Sequence, residues 1–152
     1  MVPRGGYVPR SLILTAALGL LSCSTGPTDQ LSELDQARDR WAAQSITSYV
    51  LTLRRACFCA GPFAVEIRVS GATIIRIDVA SGQPVPPDME PYFPDIPGLF
   101  ELILDEIERP AAAVTVEYDP QRGYPTSINV DQIKNAIDDE YGYTITGFRV
   151  GQ

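Results

Sequence analysis

The chain has 152 residues, with 12 Lys and Arg against 19 Asp and Glu, a formal charge of −7, and no histidine. An acidic surface repels phosphate backbones, so no nucleic acid partner is expected, and without imidazole there is neither a His-dependent triad nor the commonest metal ligand. An apolar content of 45% with both charge signs present excludes a disordered tail.

Arg4 and Arg10 lead into an apolar run at 12–21, and Ser22 stands directly before Cys23. The run is shorter than the roughly 20 residues of a bilayer crossing, and the order basic, apolar, small predicts a signal peptide over 1–22. Leu20-Leu21-Ser22-Cys23 resembles the bacterial lipobox, in which the cysteine takes acyl chains such as palmitate and becomes the first mature residue. Leu21 is larger than is usual in that box. Residues 23–28 then read as a lipidated tether and 29–152 as a single domain. The expected location is the cell envelope, held to the membrane through Cys23. Ser24, where an aspartate would favour inner-membrane retention, resembles the outer-membrane sorting class if the cell is Gram-negative. Losing Arg4 and Arg10 leaves 10 basic residues against 19 acidic ones, a mature charge of −9.

From Asp29 the period is helical. Leu31, Leu34, Ala37 and Trp41 recur at spacings of three and four, with Asp35, Arg38 and Asp39 turned away. Thr28 or Asp29 is expected to cap the start, with Glu33 supporting the first turn. Trp41 is expected to anchor the helix on the core rather than to stack on a ligand.

Three strands follow. Tyr49, Leu51 and Leu53 alternate with Val50, Thr52 and Arg54; Val65, Ile67 and Val69 alternate with Glu66 and Arg68. Ser70-Gly71-Ala72 turns the chain, and Ile75, Ile77 and Val79 return with Arg76 and Asp78 opposite. Residues 81–97 carry Pro84, Pro86, Pro87, Pro91, Pro94 and Pro97, a density that predicts an extended surface loop. Tyr92 and Phe93 within it are either binding residues or pins that hold the loop down.

Asp95 predicts the cap of a second helix, with Ile96, Leu99, Phe100, Leu102, Ile103 and Ile107 inward and Glu101, Asp105, Glu106 and Glu108 in water. Strands are then expected at Val114 to Tyr118, Pro125 to Val130 and Tyr143 to Val150, with a turn at 119–123 and a loop or short helix at 131–141. Helix, three strands, helix and three strands without a parallel βαβ rhythm predict an α+β domain with an antiparallel sheet.

Two groups could carry chemistry. Cys57 and Cys59 project from one face of an extended strand, and a bond between them needs a bent strand end, which Ala60-Gly61-Pro62 can supply. Three readings stand: a structural disulfide, a redox or metal-capturing pair, or two unpaired thiols. The acids Asp119, Asp131, Asp138, Asp139 and Glu140 could attract Ca²⁺, with Asp138, Asp139 and Glu140 as weak metal candidates. They lack the alternating ligands and central glycine of an EF-hand, so no metal and no cofactor are expected, and no catalytic residue stands out.

Trp41-x7-Tyr49-x7-Cys57-x-Cys59, Tyr118-Asp119-Pro120-x-x-Gly123-Tyr124-Pro125 and Asp138-Asp139-Glu140 together resemble an uncharacterised bacterial envelope family, domain-of-unknown-function family 6174. The resemblance implies an exported, often lipid-anchored domain and brings no activity, cofactor or catalytic residue. The expected function is therefore a lipid-anchored, non-enzymatic envelope protein that binds or supports another envelope component or ligand through its sheet, Tyr92 and Phe93, and Tyr124. The alternatives are a thiol-disulfide or metal-handling protein using Cys57 and Cys59, which predicts open sulfurs beside a cleft, and an inhibitor of an extracellular enzyme, which predicts a projecting loop at 82–94.

Overall fold

The computed structural model describes residues 26–109 and 111–151; the expected leader and Cys23 lie outside the described residues. Helix α1 (Pro27–Ala43) starts two residues before the expected point. Pro27 is pre-set for a first helical turn, and Gly26 rather than Thr28 or Asp29 is the cap, with its N–H donating to the Asp29 carboxylate at 3.4 Å. Leu34 and Ala37 are buried. Arg38 is not turned away as expected: its guanidinium donates to the Phe100 carbonyl (3.2 Å) and to Glu101 (2.9 Å), clasping the second helix.

The strands are β1 (Tyr49–Cys57), β2 (Ala64–Ser70), β3 (Thr73–Val79), β4 (Ala113–Tyr118), β5 (Pro125–Asp131) and β6 (Tyr141–Val150). They form one antiparallel sheet in the order β3-β2-β1-β6-β5-β4. With two helices beside it, the fold is α+β. The two runs of three strands are not separate sheets: β6 pairs with β1 along its whole length and joins them into one six-stranded sheet.

Alternation within each strand gives the sheet two unlike faces. Leu51, Leu53, Val65, Ile67, Ile128, Val130 and Tyr143 point into the core with Leu99, Phe100 and Ile103 of helix α2 (Ile96–Glu108). Among the described residues no element covers the other face, which carries Thr52, Glu66, Arg68, Asn129 and Thr144 among others. Two sequence expectations fail here. A register shift opposite Arg68 and Val69 leaves Ile75 unpaired and 63% exposed, so it does not join Ile77 in the core. Glu106 is buried on α2, not in water: it lies on the Leu99 and Ile103 face at helical spacing, accepts a 2.7 Å hydrogen bond from Gln132, pairs with Arg109 at 3.3 Å and bonds to the Tyr141 hydroxyl. A carboxylate is tolerated in a core when its lone pairs are met in this way.

The proline-rich segment is packed onto the domain. Pro84 bridges to Asp78, the Val85 N–H donates to the Ile77 carbonyl (3.0 Å), and Val85 and Phe93 are buried. It contains a single 3₁₀ turn at Glu90–Tyr92, and Asp95 then caps α2 by accepting from the Gly98 N–H at 3.0 Å.

Candidate functional site

Four strands bring small residues into one transverse row on the open face. Ala56 of β1 pairs with Gly142 of β6, Gly142 with Asn129 of β5, and Asn129 with Thr115 of β4. Strands lie about 4.8 Å apart, so such a row spans about 14 Å across the sheet. It forms the floor of a groove of about 580 Å³, within the size range of small-molecule sites. Gly142 is required by close approach: a Cβ there would stand 2.6 Å from the Ile128 carbonyl oxygen and 3.0 Å from the Asn129 side chain.

One wall is the end of β1. Cys57 and Cys59 lie at disulfide-bonding distance with Cα atoms 5.3 Å apart, and the chain bends through Gly61 at φ +125 as the short spacing demands. The bridge flanks Phe58 on both sides and holds this ring 81% exposed at the rim. Cys59 is exposed, and Cys57 lines the groove. The other wall is the 131–140 loop, folded on itself by the Ile133 N–H donating to Asp139 at 2.6 Å, with Asn135 and Asp138 at positive φ. Asp131, Asp138 and Glu140 line the groove, and among the described residues no Lys or Arg does.

The residues singled out from sequence are scattered. Phe93 is 1% exposed and belongs to the core, which corrects its place among binding residues. Tyr92 is exposed, but its ring lies under the Arg55 guanidinium (4.5 Å to the centroid) and its carbonyl accepts from the Tyr143 hydroxyl (3.0 Å), so it pins the loop. Tyr124 is half-buried and stacks on Phe148 (4.8 Å), whose ring meets Trp41 at 5.9 Å. Trp41 also sits edge-on to Tyr49 at 5.5 Å, an aromatic cluster that welds α1 to the sheet. Asp119 makes the turn before Gly123 by accepting from the Gln121 and Arg122 N–H groups (3.0 and 2.6 Å). Among the described residues no three His, Cys, Asp or Glu side chains converge to hold a metal. Asp139 is committed to its own loop, which separates it from Asp138 and Glu140.

Burial raises the hydroxyl pKa of several tyrosines that pack against the core. Burial, reinforced by Glu33, pushes the Tyr118 hydroxyl up to about 12. Burial also raises Tyr49, helped by Asp95, and Tyr141, helped by its bond to Glu106. None of these is a residue poised for acid–base work near neutrality.

Ala56, Thr115, Asn129, Asp131 and Gly142 were not recognisable as neighbours in the sequence. A glycine opening an otherwise aromatic and β-branched strand was the one local signal, since an interior strand glycine marks close approach.

Fold and groove thus define a small α+β domain with a half-covered antiparallel sheet and a ligand-sized seat on its open face. Residues 33–150 match the model of a family described as "Family of unknown function (DUF6174)", and the chain belongs to that family. No curated protein and no solved structure matches the chain.

Proposed function

We propose that this protein is a lipid-anchored, non-catalytic binding protein of the bacterial envelope, with the open-face groove as its ligand seat. The observation that carries the reading is the groove itself: a floor of small side chains drawn from four strands, walled by an exposed aromatic ring and a loop. The basic, apolar and small order of residues 1–23 supports export and acylation at Cys23. In a Gram-negative cell, Ser24 would send the protein to the outer membrane. The packing of Val85 and Phe93 argues against a projecting inhibitory loop.

Intact-mass analysis of the chain from its native membranes, under conditions that keep non-covalent complexes, tests both parts. The expected mass is that of an acylated chain beginning at Cys23, with a bound species that is lost when Ala56→Trp fills the floor. An unacylated full-length chain would sink the anchor, and the same adduct on the filled variant would sink the groove.

A second reading is favoured by the exposed Cys59 and by Cys57 on the groove wall: a thiol-disulfide or metal-handling protein. Alkylation separates the two. Labelling only after reduction supports a structural bridge, and immediate labelling supports a working thiol pair.

A further inference from the structure

Taking the groove as the ligand seat, we infer that its ligand is an elongated aliphatic cation, a linear di- or polyamine. The inference rests on that reading and adds the chemical class. Three features of the site converge on it.

The first is shape. A floor row of about 14 Å running across four strands gives a thin linear molecule room to lie flat. The second is the floor. Ala56, Ala113 and Gly142 present no polar side chain, Thr115 and Asn129 beside them are uncharged, and Phe58 adds an apolar ring at the end, so methylene segments can lie there without burying a charge. The third is the sign of the rim. Asp131, Asp138 and Glu140 border this uncharged floor, and among the described residues no basic side chain lines it, on a chain whose formal charge is −7. Such a potential attracts ammonium groups and repels carboxylates, phosphates and fatty acids.

A divalent metal would also meet the charge, but it would leave the uncharged floor unused, and no three carboxylates converge among the described residues. A neutral lipid chain would meet the floor and leave the carboxylates idle. An alkyl chain carrying ammonium ends satisfies both, and the exposed face of Phe58 adds a cation–π partner at one end.

The test titrates the isotope-labelled full chain with 1,8-diaminooctane, spermidine and 1,8-octanediol, following backbone amides by NMR. Expected are saturable shifts confined to Ala56, Thr115, Asn129 and Gly142 for the amines and none for the diol. Raised salt should weaken the binding. Replacing Asp138→Asn together with Glu140→Gln should weaken it about tenfold, roughly threefold for each exposed charge. Both side chains are exposed, so the variant is expected to fold, with amides elsewhere unchanged. Asp88→Asn together with Glu108→Gln, the same change of charge away from the groove, should leave affinity unaltered. Groove shifts as strong with the diol as with the diamine would overturn the cationic class while keeping the groove as a seat. Weak shifts spread over every surface carboxylate would mean counter-ion binding only and refute the inference. No shift at the groove with any probe would refute it as well, while the mass experiment above would still decide whether another ligand is held there.

Discussion

Gly123 closes the β4–β5 turn against α1, and replacing it with alanine tests how the two halves of the domain are joined. Its φ is +85, and an added Cβ would overlap the Ala37 carbonyl oxygen, lie 2.8 Å from Arg40 Cβ and 3.1 Å from the Trp41 N–H. The positive φ alone costs an alanine about 1–2 kcal/mol. The overlap adds about 1–3 kcal/mol, as overpacking does when neighbours must shift, and here two of those neighbours are helix backbone that cannot swing aside. Gly123→Ala should therefore cost about 3 kcal/mol. Gly71→Ala is the matched control: φ is +57 and a Cβ there meets nothing within 4 Å, so only the conformational part, about 1 kcal/mol, remains. Urea unfolding of both variants, compared at unchanged m, isolates the contact. Equal losses for the two would refute the seating of the Tyr118 to Pro125 turn on α1.

The proline-rich segment makes a second contrast. Phe93→Ala should destabilise the domain by about 3–5 kcal/mol because it empties a buried site, while Tyr92→Ala removes a surface cation–π contact and should cost about 1 kcal/mol or less; similar losses in chemical denaturation would mean the segment is not packed as described. The buried tyrosines predict an alkaline limit. Their folded-state pKa values lie above the unfolded value of 10, so the unfolded chain releases protons first; stability is complete below about pH 10 and falls as pH climbs towards 12 and beyond. Urea midpoints measured from pH 9 to 12 should decline, and less steeply in Tyr118→Phe; a flat profile would contradict the burial. Opening the Cys57–Cys59 bridge frees a three-residue ring only, which the chain-entropy relation values at about 1.6 kcal/mol. Cys57→Ser with Cys59→Ser should thus leave the domain folded at room temperature by circular dichroism, and unfolding of the double variant would assign the bridge a larger structural role.

Strand alternation, the amphipathic stripe of α2 and the capping aspartate were legible in the sequence because each depends on residues a few positions apart. The same locality explains the failures. Glu106 looked solvated until Gln132, Arg109 and Tyr141 came to meet it. Phe93 stood open between a binding residue and a pin because proline density reports backbone conformation and says nothing of what lies underneath. Ile75 was misplaced by a bulge, a two-strand property that no single strand displays.

The candidate site divides in the same way. The sequence by itself determined that Cys57 and Cys59 share a face, that acids gather at 131–140, and that basic, apolar and small residues follow one another over residues 1–23. Only the tertiary structure decided that β6 returns to β1, which sets Ala56 and Gly142 side by side and joins Asn129 and Thr115 to them. Composition and periodicity are one-dimensional, whereas a groove floor is made by register between strands as far apart along the chain as those of Ala56 and Gly142. That register is set by which side chains can be buried together, a property of the whole core rather than of any segment.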